Sequence, residues 1–273
     1  ITPQGAVSKE LKKYMKKLNQ VMTAIVMLFA SQVFAADNSI YIDQTGDNSV
    51  ITMLQDGATN RIRGIQGTGT GNTTPSKIKG DNVTLTVEQV GSGNILNLGV
   101  VTATASGGVD TSILYRVTGN NGIGTINMNN SEQGTANSNT VSIDQTGDNT
   151  IANLNMLGSN NTFSAVTDGN LNQIVATINA DQVSVNINKT GGTANNTTLN
   201  LTGAKGTVDL TILGASNATN ITQSGGGADG HIATLNINGS NNNTTVVQSG
   251  SINTNVNLAV AGSGNTYSIT TGN

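Results

Sequence analysis

The segment Ile42-Asp43-Gln44-Thr45-Gly46-Asp47-Asn48 returns letter for letter as Ile143-Asp144-Gln145-Thr146-Gly147-Asp148-Asn149. An identity of that length points to a repeated structural unit, which has to be found before any other feature is read. A finer clock runs beneath it. Glycine, or once alanine, stands at 147, 158, 169, 180 and 191, each 11 apart, and after a step of 12 at 203, 214 and 225. Gly239, Gly250 and Gly262 continue the series. Gly46 and Gly57, and Gly80 and Gly91, keep the interval of 11 earlier in the chain.

The residues before each marker give the clock its meaning. Two, four and six positions ahead stand apolar side chains, with Gln often nearest the marker. Examples are Ile40, Ile42 and Gln44 before Gly46; Ile51, Met53 and Gln55 before Gly57; Leu85, Val87 and Gln89 before Gly91; and Val208, Leu210 and Ile212 before Gly214. Thr, Asn, Ser and Asp fill most places between. An alternation of period two marks a strand with one buried face, and Val, Ile and Thr suit a pleated surface. Glycine supplies the positive φ of a tight turn, and asparagine tolerates it next best. Gly46, Gly57, Gly91, Gly147, Gly158, Gly203, Gly214, Gly225 and Gly250 therefore read as turn glycines. Asn48, Asn60, Asn94, Asn149 and Asn253 read as turn asparagines. Asn stands three residues after the marker at 60, 94, 172, 217, 242, 253 and 265.

The predicted fold is all-β, a β-solenoid in which strand, turn, strand, turn closes one coil of about 22 residues. Coils stack at the inter-strand spacing of about 4.8 Å. A single coil buries no apolar face, so its neighbours supply the stability. Roughly sixteen to twenty strands, in eight to ten coils, are expected. They occupy residues 36–273, with irregular insertions near 61–82 and 99–135, where the clock breaks.

Composition agrees with a thin core. The chain of 273 residues is 35% hydrophobic, 10% charged and 3% aromatic, with 34 Gly, no Cys and no Trp. So few large side chains cannot fill a globular interior but can fill the roughly 10 Å between two facing sheets. The lack of Cys excludes disulfides, thiolate metal sites and a Cys nucleophile. From Ala36 onward seven basic residues face fourteen acidic ones. That acidic body repels a phosphate backbone and argues against nucleic acid as a partner.

The N-terminus reads as an address. Lys16 and Lys17 precede a mostly apolar stretch from Val21 to Ala30, and small residues follow. This is the order of a helical secretory signal, with cleavage between Ala35 and Ala36. Residues 1–35 hold the signal and what lies upstream of it. The body is then expected to be secreted, extracellular or at the cell surface, touching a membrane only during export.

Gln55-x-Gly57-x-x-Asn60, Gln89-x-Gly91-x-x-Asn94 and Gln248-x-Gly250-x-x-Asn253 carry a further resemblance. Gln44 and Gln145 have the Asn one residue early, and Gln223-Ser224-Gly225 lacks it. In these segments the chain resembles the curlin repeat, a unit of about 22 residues found in subunits of extracellular amyloid fibres. The resemblance covers about a third of residues 36–273. It implies a β-solenoid with stacked Gln and Asn, and a role in fibre, adhesion or biofilm matrix. Its implied partner is a second copy, as a homopolymer, or a related repeat subunit.

From the residues themselves, Gln44, Gln55, Gln89, Gln145, Gln223 and Gln248 are candidates for an inward amide ladder. A buried amide needs partners, and identical amides one coil apart supply them. Against enzymatic chemistry, His231 is the only histidine and has no ligand set for zinc. Asp229 lies near it in a Gly-rich turn that needs no catalytic explanation. Gly225–Gly230 lacks the repeated calcium pattern. No cofactor and no enzyme activity are expected. The alternative function is a soluble solenoid that recognises surface glycans, as an adhesin or a virion component.

Overall fold

A strand whose alternate side chains are apolar has to cover that face, and here it does so against a strand half a coil away. The computed structural model describes residues 38–272 apart from 58, 65–74, 81, 92, 102–110, 120, 129–137, 148, 170, 192–193, 203–204, 215, 226–230, 240, 251–253 and 263. The Ala35–Ala36 junction, Gly203 and Asn253 lie outside the described residues. The recorded strand pairings are parallel throughout, and the chain winds as a β-solenoid with a front and a back sheet.

Front rungs lie at 38–45, 60–63 continued by 76–79, 95–101, 123–128, 149–158, 171–180, 194–202, 217–224, 243–249 and 266–271. Back rungs lie at 50–56, 84–90, 111–118, 138–146, 160–168, 182–190, 205–213, 231–238 and 254–261. The described residues thus hold ten front and nine back rungs. The strands Asn149–Asp168 and Leu171–Thr190 each run through a corner and serve both sheets.

The coil is 22 residues where Asn38 pairs Asn60 and Val141 pairs Phe163. It lengthens to 34 between Ile51 and Leu85, 28 between Leu85 and Ile113, 25 between Ala218 and Asn243, and 23 between Ala233 and Val256. Every crossing from back to front begins with glycine, at 57, 91, 119, 147, 169, 191, 214, 239 and 262. In chain order a front rung precedes and a back rung follows each of 102–110, 129–137 and 226–230. The segment 65–74 interrupts a front rung between Asn60–Arg63 and Ser76–Lys79. Within 61–82 and 99–135, residues 61–63, 76–79, 99–101, 111–118 and 123–128 are regular rungs, because Ile62, Ile78, Ile113, Val117, Ile126 and Met128 keep the inward alternation.

The uniform edge is glycine because the coils touch there. A Cβ on Gly147 would lie 1.5 Å from the Gly119 carbonyl oxygen, on Gly119 1.7 Å from that of Gly91, and on Gly169 1.6 Å from that of Gly147. The same glycines hold the edge together, since Gly119 N–H donates to Thr146 O and Gly147 N–H to Asp168 O, both at 2.9 Å.

Between the sheets, rows such as Leu85, Ile113, Val141, Phe163 and Val185 run along the axis, fully buried. Large and small side chains compensate one another across the core. Tyr115 is completely buried, and the room for its ring comes from Gly124, where a Cβ would lie 2.5 Å from Tyr115 Cε1.

Candidate functional site

Two features of this body carry chemistry: the polar corners at the uniform edge, and the two ends. In a corner, Gln and Asn act reciprocally. Gln55 Nε2 crosses its turn to donate to Arg61 O at 2.9 Å, while Asn60 Nδ2 donates back to Gln55 O at 3.2 Å and to Val90 O of the next coil at 2.9 Å. Gln89 and Gln145 make the same crossing to Ile95 O and Ile151 O, each at 3.3 Å. The spacing Gln-x-Gly-x-x-Asn is what this closure requires. Both amides point inward from strand ends, and glycine lets the turn between them pack on the next coil. Backbone carbonyls freed by the turn are thereby satisfied away from water.

The six glutamines fall in two columns rather than one. Gln55, Gln89 and Gln145 belong to the back sheet, and Gln44, Gln223 and Gln248 to the front. Gln89 Nε2 donates to Gln55 Oε1 at 2.7 Å, and Gln223 Nε2 to Gln248 Oε1 at 2.9 Å. Between Gln89 and Gln145 the column holds Val117, and Gln44 stands beside Ile78. Tyr115 bridges part of the first gap, its hydroxyl donating to Gln89 Oε1 at 2.9 Å; burial pushes its pKa up.

Asparagine forms the longer ladder. Asn94 Nδ2 donates to Asn60 Oδ1 at 3.0 Å, Asn172 Nδ2 to Asn195 Oδ1 at 3.2 Å, and Asn242 Nδ2 to Asn217 Oδ1 at 2.8 Å. Thr150 Oγ1 donates to Asn172 Oδ1, and Asn195 pairs in register with Asn217. Asn60 and Asn94, read from sequence as turn residues, are buried ladder residues instead. The left-handed turn position is one residue earlier, at Ser216 with φ 58° and Asn241 with φ 59°. Asn48, with φ 54°, does occupy it, while Asn149 opens the strand Asn149–Asp168. The recurrence of Asn three residues after the marker was the signal for this ladder.

At Lys189 the back column replaces Gln with an ammonium group, fully buried between Thr167 and Ile212. Its Nζ crosses the turn as the glutamines do, donating to Asn196 O at 2.7 Å, Asn172 O at 2.9 Å and Thr197 Oγ1 at 3.2 Å. All three acceptors are neutral, and desolvation lowers its pKa to about 7. His231 is also buried; neither ring nitrogen has a partner among the described residues, and burial pushes its pKa down. The described residues hold no group of three His, Asp or Glu suited to a metal.

On the outer back face Arg116 stands between Glu88 at 4.0 Å and Asp144 at 3.6 Å, one coil to either side. These partners are exposed, so their contribution is small, on the order of 0–1 kcal/mol.

The ends differ from the middle. Inward residues of inner coils are almost completely buried, whereas in the last front rung Tyr267 is 45% and Ile269 44% exposed. Val256, Leu258 and Val260 of the last back rung are only partly covered, as are Ile40, Ile42 and Ile51 at the other end. Among the described residues, no further rung lies over either end. No protein-family model matches this chain, and neither does any curated protein or solved structure.

Proposed function

We propose that this chain is an exported structural subunit that elongates end to end, the last coil of one copy accepting the first coil of the next. The observation that carries the reading is the exposed inward row at the C-terminal end of the described body, where Tyr267 and Ile269 stand in register with the buried column of Thr244 and Val246. Solenoids that remain single place polar caps over such rungs. An open rung also presents unpaired N–H and C=O groups at the spacing another strand needs. The residues suit repetition along an axis, since the amide columns are satisfied by copies of themselves.

The test is seeded growth. Purified protein, freed of its leader by export, should form filaments that lengthen when sonicated filaments are added. Oriented samples should give a 4.7–4.8 Å reflection along the filament axis. Protein that stays monomeric at high concentration in the presence of seeds refutes the proposal.

A further inference from the structure

Charge is spread unevenly over the outer surface of the body. On the front sheet, the rungs from 95–101 to 266–271, eight in succession, carry no Asp, Glu, Lys or Arg among the described residues. Their outward places hold Asn, Thr and Ser with a few apolar side chains. On the back sheet, Glu88, Arg116, Asp144, Asp168, Lys205 and Asp209 all stand at outward places.

This segregation has a physical consequence. From Ala36 onward fourteen acidic residues outweigh seven basic ones, so two copies repel where their charged faces meet. The front face is where two copies can touch without burying a charge, which is costly when the charge is unpaired. Depletion of charged residues at the centre is also what sets an interface apart from the rest of a protein surface.

The face has the layout of such a centre. Ile123 and Ile151 stand in register on adjacent rungs, and Leu171 beside them is 47% exposed. With Ala194 they line a depression of about 510 Å³, margined by Asn121, Gln173 and Asn196. In the next outward column Asn153, Val175, Thr198 and Asn220 follow one another in register. Asn and Thr each offer a donor and an acceptor, so they can pair with their own kind on a facing copy. Short side chains let two sheets approach to about 10 Å. Eight rungs at about 4.8 Å, crossed by strands of about six residues at roughly 3.3 Å, give a face of about 800 Å². That is about what each partner contributes to a stable interface. The outward places of these rungs hold no aromatic ring on which a sugar could stack.

We infer that two copies of this chain pair front sheet to front sheet about a two-fold axis. The contact is lateral and uses neither end, so it stands independently of the end-to-end growth proposed above. Where both operate, the filament is a pair of solenoids.

Sedimentation velocity on the exported protein, unseeded and at micromolar concentration, should show a two-copy species. Val175→Lys/Thr198→Lys should weaken pairing about 100-fold or more by burying unpaired charge. Val175→Glu/Thr198→Glu should do the same, and an equimolar mixture of the two variants should restore the pair. Ser184→Lys/Asn186→Lys, which adds the same charge to exposed places on the back sheet, should pair as the unaltered protein does. Unaltered protein that stays single, including protein that instead binds a neutral polysaccharide, overturns the inference. So does pairing that survives both front-face variants or is lost in the back-face variant. Seeded growth is scored separately by electron microscopy, where the front-face variants should give single rather than paired solenoids. Growth of unaltered single solenoids overturns only the pairing, and pairing without growth overturns only the end-to-end reading.

Discussion

Replacing Gly147 with alanine tests the contact on which the whole stack rests. The new Cβ would lie 1.5 Å from Gly119 O. A carbon–oxygen contact needs roughly 3.3 Å, so the two coils must separate locally by roughly 1.8 Å, more than a third of the rung spacing. The bond Gly119 N–H to Thr146 O, 2.9 Å, spans that gap and does not survive the displacement. One backbone hydrogen bond at about 1 kcal/mol and about 1–3 kcal/mol for overpacking give a loss of about 2–4 kcal/mol. Gly46→Ala is the control. Gly46 has φ +143° and nothing nearer to its Cβ position than Gln44 Nε2 at 3.9 Å, because no described coil lies beneath it. Only backbone strain, about 1–2 kcal/mol, should be lost there. Urea unfolding followed by far-UV circular dichroism measures both variants. If Gly147→Ala proves no more destabilising than Gly46→Ala, conformational freedom alone explains the glycines and the close-approach argument fails.

Four further outcomes come from the interior. Lys189 has a folded pKa of about 7 against 10.5 unfolded, so the folded state binds fewer protons and stability should rise with pH between these values. Below about pH 7 this residue contributes no slope; Lys189→Gln, which restores the usual corner donor, should flatten the rise between pH 7 and 9.5, and an unchanged slope would refute the assignment. Gln89→Leu strips partners from Gln55, Tyr115 and the Ile95 carbonyl and should cost about 2–3 kcal/mol. Gln145→Leu, which loses the bond to Ile151 O, should cost about 1 kcal/mol by the same chemical denaturation. Gly124→Ala should lose about 1–3 kcal/mol through collision with the Tyr115 ring and recover most of it in combination with Tyr115→Val; additive effects in that cycle would show that the two residues do not compete for space.

The alternation of inward and outward residues was legible in the sequence because it depends only on neighbours two apart along one strand. Ile51, Met53 and Gln55, or Val141, Ile143 and Gln145, declare their strand, its buried face and the following turn without reference to any distant residue. The solenoid class follows from repeating that local unit. The columns were not legible in the same way, since they depend on which residue lies one coil away, and that distance varies from 22 to 34 residues. An insertion shifts every partner beyond it. Gln145 therefore faces Val117 and Thr167 rather than another glutamine, although all of these positions look alike from within their own strands. Gly124 gives no local reason for being glycine; only Tyr115, across the core, supplies one. Local periodicity determined the strand and the coil. The close packing of one coil on the next decided which amides meet and where glycine is obligatory.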